Sequence, residues 1–74
     1  MTRREKLRQE MLEDIKTAAR QQMAENGTAA ISLSAIARAL EVSQPALYRY
    51  YASRDDLVTA LIVDAFDALA AALA

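Results

Sequence analysis

Gln44, Ala46 and Arg49 are the side chains of this 74-residue chain best suited to reading another molecule, and they stand within one short window. A Gln amide pairs in bidentate fashion with adenine, and an Arg fork pairs with guanine or a phosphate. An Ala methyl touches a thymine methyl, and each good bidentate pair is worth about 1–3 kcal/mol of discrimination. Ser43 before them and Pro45 among them mark a helix start, because a Ser hydroxyl caps early amides and Pro is tolerated where amides lack intrahelical partners. Small residues at the entering end and hydrogen-bonding groups one turn later are what a helix needs to dock in a major groove roughly 12 Å wide. Tyr48 and Tyr50 read equally, on residue type alone, as half-buried aromatics or as hydroxyl donors.

Such a helix has to be held by others. Thr2 with Glu5 is a capping-box pattern, and Leu7, Met11, Ile15, Ala19 and Met23 recur every four residues, with Leu12 and Ala18 widening the stripe. This predicts a first amphipathic helix over about residues 3–25. Asn26-Gly27 ends it, with Gly27 expected in the left-handed conformation and residues 28–31 as a loop. Ser32 caps a second helix over 33–40 in which Leu33, Ile36, Ala37 and Leu40 face inward. The third helix then covers 44–51, anchored by Leu47 and Tyr51, four residues apart. Ser53, followed by Asp55 and Asp56, starts a fourth helix whose first-turn carboxylates complement the positive end of its dipole.

That fourth helix carries two adjacent apolar stripes, Leu57-Leu61-Ala65-Leu69 and Val58-Ile62-Phe66-Leu73, more than a bundle of this size can bury. It runs to Ala74 without Gly, Pro or a cap, so the expectation is a connector over residues 54–74 leading from a helix-turn-helix unit, residues 1–53, to a C-terminal domain outside this chain.

The window from Val42 to Leu57 resembles the recognition helix of the TetR family of bacterial transcriptional regulators. Its pattern reads approximately Val-Ser-x-(Gly/Pro)-(Thr/Ala)-Leu-Tyr-x-(His/Tyr)-(Phe/Tyr)-x-(Ser/Asn)-(Lys/Arg)-(Glu/Asp)-x-Leu. Upstream, Gly27 and then Ile31-Ser32-Leu33-Ser34-Ala35-Ile36-Ala37 are also similar to the family, and the resemblance covers roughly residues 10–66. It implies an all-α fold, a homeodomain-like three-helix DNA-binding domain plus the start of a fourth helix. It implies phosphate contacts from Tyr48, Tyr50, the Ser32 cap and Arg54, the basic residue opening the fourth helix. Ser34 is the better phosphate candidate on the exposed side of the second helix, and Arg38 the more ordinary solvated charge. The DNA-facing set is thus Ser32, Ser34, Ser43, Gln44, Pro45, Ala46, Tyr48, Arg49, Tyr50 and Arg54. Function follows as a regulator, usually a repressor, that occupies a double-stranded operator as a homodimer. It leaves when a small-molecule inducer on the C-terminal domain changes the spacing of two heads.

Three positions depart from the family pattern. Glu41 stands where Gly is usual in the turn between the second and third helices, which predicts a costly positive φ and puts a carboxylate toward DNA. Pro45 replaces the commoner Gly, and Tyr50 stands where His is frequent; neither disturbs docking.

Composition sets the outer limits. The chain has no Cys and no His, which excludes disulfides, thiolate chemistry and the usual zinc or haem ligand sets, so no metal and no cofactor is expected. Short, charge-interrupted apolar runs predict neither a signal peptide nor a membrane span, and therefore a cytoplasmic protein. Net charge is −1, but its distribution is segmental. Arg38, Arg49 and Arg54 oppose only Glu41 across residues 27–54, and Arg3, Arg4, Lys6 and Arg8 oppose only Glu5 at the N-terminus, either as a second basic patch or as a solvated helix face.

Two other function classes compete with DNA binding. A helical interaction module would use the apolar stripes of the fourth helix to bind a partner helix, and would hardly respond to salt. An enzyme would need acids such as Glu10, Glu13 and Asp14, or Asp64 and Asp67, which share helix faces; Asp55 and Asp56 diverge by about 100°. With no His, Cys or Gly-rich loop beside them, a solvated face explains these acids more simply, and no catalytic residue is expected.

Overall fold

The first capping signal works as its spacing predicts: in the computed structural model, which describes residues 2–73, the Glu5 amide donates to Thr2 Oγ1 at 3.1 Å and opens α1, Arg3–Asn26. The helix ends where Gly27 donates to the Met23 carbonyl at 2.8 Å. Gly27 has φ 83° and ψ 175°, so φ is positive as expected but ψ is extended rather than left-handed helical, a region essentially reserved for glycine. The expected loop after it contains one tight turn, a 3-10 element over Thr28–Ala30, which delivers buried Ile31 to the core.

Ser32 then caps α2, Leu33–Ala39, by accepting the Ala35 amide at 3.2 Å. The turn that follows is tied by Glu41 N–H to the Arg38 carbonyl, 3.2 Å, and Val42 N–H to the Ala37 carbonyl, 3.0 Å. This pair of bonds is a Schellman closure, whose hinge residue must be left-handed. Glu41 occupies it with φ 58°, the strain expected from a non-Gly residue in that turn.

Ser43 caps α3, Gln44–Tyr48, by accepting the Ala46 amide at 3.2 Å. The helix was expected to reach residue 51 and is shorter. Beyond Tyr48 the backbone tightens, Tyr50 N–H bonding to the Leu47 carbonyl at 2.9 Å, and Tyr51 leaves the helix while still packing into the core. Ser53 accepts the Asp56 amide at 3.2 Å at the start of α4, Arg54–Leu73. Ala74, the last residue of the expected fourth helix, lies outside the described residues.

The core is one cluster: Ile15 and Ala19 of α1, Ile31 of the loop, Leu33, Ile36 and Ala37 of α2, Leu47 of α3, then Tyr51, Leu57 and Leu61. Two stripes extend beyond it. Leu7 was expected in the α1 stripe but is 55% exposed, since only the edge of Tyr50 borders that end of the helix, and only Leu57 and Leu61 of the first α4 stripe are buried. Ile62, Phe66, Leu69 and Leu73 stand in solvent, so the excess of apolar surface expected on α4 is present. No helix among the described residues is long and apolar enough to cross a membrane.

Candidate nucleic-acid interface

Helix α3 is held from below and open above. Leu47 is 1% exposed and Tyr51 8%, which fixes the helix on the core by two side chains and turns Gln44, Pro45, Tyr48 and Arg49 outward. At a rise of about 1.5 Å per residue, so short an element is about 7 Å long and fits within the width of one groove. Ala46 is half-buried, a small residue on the rim of this surface.

Gln44 is not free to swing. Its Nε2 donates to Ser34 Oγ at 3.0 Å, which joins α3 to α2 through the two side chains. Ser34 was expected to serve a phosphate; here its oxygen first serves Gln44, leaving its own hydroxyl hydrogen to point elsewhere. The Gln44 carbonyl oxygen and the second amide hydrogen stay available, a donor and acceptor pair that suits an adenine edge.

Ser32 and Ser43 spend their hydroxyl oxygens on capping, so each presents a hydroxyl hydrogen rather than an acceptor to an incoming phosphate. Ser32 is held further by a residue that carries no motif of its own. Gln22 of α1 accepts the Ser32 amide at 3.1 Å and donates to its carbonyl at 3.4 Å, clamping the strand that enters α2.

Arg54 opens α4 as expected, but its guanidinium turns to the loop. Nη2 donates to the Thr28 carbonyl at 2.6 Å and Nε to the Ile31 carbonyl at 3.1 Å. Its first task is therefore to tie α4 to the backbone just before Ser32, and only its remaining N–H groups are left for a phosphate. The expected role is narrowed accordingly.

Tyr48, 42% exposed, and Arg49 lie on the open surface, whereas Tyr50 is half-buried and sits under a guanidinium, with Arg8 Cζ 5.4 Å from its ring centroid. Arg38 is exposed, as expected of a solvated charge. A charge cluster joins α4 to α1. Asp64 of α4 accepts from Lys16 Nζ at 2.8 Å and Arg20 Nη2 at 3.1 Å, both on α1. The Lys16 hydrogen bond holds the Asp64 carboxyl below the usual carboxylate range and raises the Lys16 ammonium. Burial pushes the Tyr51 phenol up beside them.

Residues 15–61 match the family described as bacterial regulatory proteins, tetR family, a span that includes α2, the turn and α3. The chain is similar to HTH-type transcriptional regulators of Mycobacterium bovis and Mycobacterium tuberculosis, Mb1846 and Rv1816. Identity to each is 51% over 51 residues, covering 69% of this chain and 22% of each relative. The crystal structure of the regulatory protein SCO4313 superposes with a TM-score of 0.84 at 46% identity, covering 90% of this chain and 33% of that one. The chain thus spans about a fifth of the curated relatives it matches and a third of the solved structure.

Proposed function

Because the chain belongs to the TetR family of bacterial regulatory proteins and matches its N-terminal helix-turn-helix, we propose that it reads operator DNA with α3 in the major groove. The observation that carries this is the Gln44–Ser34 hydrogen bond on an otherwise open helix face, since it aims a base-reading amide before any ligand arrives. Gln44 and Arg49 supply the base contacts, Ala46 and Pro45 the close approach, and Ser32, Ser34, Ser43, Tyr48, Tyr50 and the free edge of Arg54 the phosphate contacts that set register. Members of this family are regulators rather than enzymes, and no carboxylate in this chain is asked to do chemistry.

Regulation in this reading belongs to a homodimer. Two copies of α3 read two half-sites on one face of the duplex, as in other helix-turn-helix dimers. Residues 1–53 form the DNA-binding unit in this reading, and α4 leads from it toward the length that its longer relatives have beyond the matched span, where we place dimerisation and a small-molecule inducer site. An inducer that moves α4 would re-space the heads and release the operator, which makes the protein a ligand-responsive repressor acting in the cytoplasm. The exposed row Ile62, Phe66, Leu69 and Leu73 suits α4 to packing within such an assembly.

The test is a selection. Two tethered copies of the chain are used to select binders from a randomised duplex pool, and the selection is repeated with Gln44→Ala and Arg49→Ala. A two-fold motif that both substitutions relax supports base reading by α3. Binding without enrichment would limit the contact to phosphates, and no binding at low salt would sink the DNA-binding reading.

A further inference from the structure

The N-terminal arginines remain without a task in the preceding account. Arg3, Arg4, Leu7 and Arg8 line one shallow concavity together with Tyr50, the residue two positions beyond the end of α3. Arg8 lies over the Tyr50 ring, 5.4 Å from its centroid, which joins the start of α1 to the edge of the proposed interface. No ion pair engages Arg3, Arg4, Lys6 or Arg8 among the described residues.

Arg4 and Arg8 lie on the Ile15 side of α1 with Glu5 beside them, and Arg3 joins them from the first helical position. Arg8, Leu7 and Arg4 precede Ile15 by seven, eight and eleven residues, spacings that keep a helix residue on the same side, so the face that buries Ile15 continues outward as an arginine strip. The acids Glu10, Glu13 and Asp14 line a separate surface with Lys6 and Gln9. A merely solubilising patch has no reason to face the bundle side of its helix, to enclose an exposed leucine, or to hold one of its guanidinium groups on an aromatic ring. An arginine so held keeps its N–H edge free, and that fork matches phosphate geometry.

We propose that Arg3, Arg4 and Arg8, beside Tyr50, form a phosphate-binding strip that extends the DNA footprint outward from α3 along the sugar-phosphate backbone. This rests on the DNA-binding reading given above. Arg4 and Arg8 stand one helical turn apart, about 6 Å, against one phosphate per about 3.4 Å of axis on each strand, so the strip reaches about two phosphates. It adds affinity and salt dependence without adding sequence preference.

The experiment measures the dissociation constant of two tethered copies of the chain for their selected duplex and for a random duplex between 50 and 200 mM salt. Wild type is compared with Arg3→Ala/Arg4→Ala/Arg8→Ala and with Lys6→Ala, whose charge lies on the other surface, and circular dichroism checks helix content. Two lost phosphate contacts per copy reduce the salt slope by about 3.6, which makes the fall in affinity over that range about a hundredfold smaller for the triple variant than for wild type. The expected result is that reduction on both duplexes, with the ratio of selected to random binding and the Lys6→Ala slope unchanged. A wild type that binds with a steep salt slope, beside a folded triple variant with the same slope, overturns the strip and leaves the α3 reading intact. A wild type that binds neither duplex removes both. A selected-to-random ratio that collapses in the triple variant also overturns the strip, because the arginines would then be reading bases.

Discussion

Ser34 of α2 accepts a hydrogen bond from the Gln44 amide of α3 at 3.0 Å, so the two helices of the helix-turn-helix share one polar contact on the surface proposed to read bases. The bond fixes which end of the Gln44 amide faces outward. An unrestrained Gln spends side-chain entropy when it settles on a base, and this one has already lost part of it.

Replacing Ser34 by Ala is therefore expected to blunt base discrimination at the Gln44 position more than it lowers overall stability. Gln44→Ala should cost about 1–3 kcal/mol of discrimination at one base pair. Ser34→Ala should cost a fraction of that, about 0.5–1.5 kcal/mol, the net worth of one hydrogen bond. Binding to duplexes varied at single positions measures both. Equal losses at every position would show that Ser34 serves a phosphate instead.

Glu41 gives a stability prediction with a clear sign. Its φ of 58° closes the α2–α3 turn, and a left-handed non-Gly residue costs about 1–2 kcal/mol. Gly relieves that cost but loses about 0.5–1 kcal/mol through greater freedom in the unfolded chain. Glu41→Gly should thus stabilise by up to about 1.5 kcal/mol in urea unfolding, and DNA affinity should rise as a carboxylate leaves the turn. A destabilised variant would mean that Glu41 makes a contact worth more than its strain.

Much of this arrangement was legible in local signals. Thr2, Ser32, Ser43 and Ser53 each read as a cap and each accepts an amide three residues on; Leu47 and Tyr51 read as core anchors and are buried. Local signals mislead where a period outlasts its partners. The α1 stripe continues to Leu7, beyond the buried core, and the Leu47–Tyr51 spacing looks helical although the chain must already be turning toward α4. Contacts without a sequence signature were missed altogether. Gln22 reaches Ser32 across ten residues and Arg20 reaches Asp64 across 44, and only the folded topology brings Arg8 over Tyr50.

The Asp64 joint predicts how stability responds to pH. Its folded carboxyl titrates below the usual range because Lys16 hydrogen-bonds the charged form. A depressed carboxyl contributes stability that is present above its unfolded value and is lost as pH falls through its folded value. Asp64→Asn should melt below wild type at neutral pH, with the difference closing in strong acid. Lys16 and Tyr51 are raised instead, so their contribution holds up to their unfolded values and fades in strong alkali. Thermal melts across the pH range check both limbs, and a gap that stays constant in acid would remove Asp64 from the account.

Leu47 is the residue on which α3 depends most. It is 1% exposed, and a helix as short as α3 cannot persist on propensity, since isolated helices under about 12–15 residues are marginal in water. Leu47→Ala should cost about 2–5 kcal/mol through lost burial and the cavity left behind. A domain this small has little more than that in total, about 3–5 kcal/mol from a single core of its size. The variant is expected to lose its cooperative melt and with it all DNA binding, specific and nonspecific. Leu7→Ala, at a site 55% exposed on the overhanging end of α1, should change stability by no more than about 0.5 kcal/mol. A cooperative melt retained by Leu47→Ala would mean that Tyr51 and Leu57 suffice to seat the recognition helix.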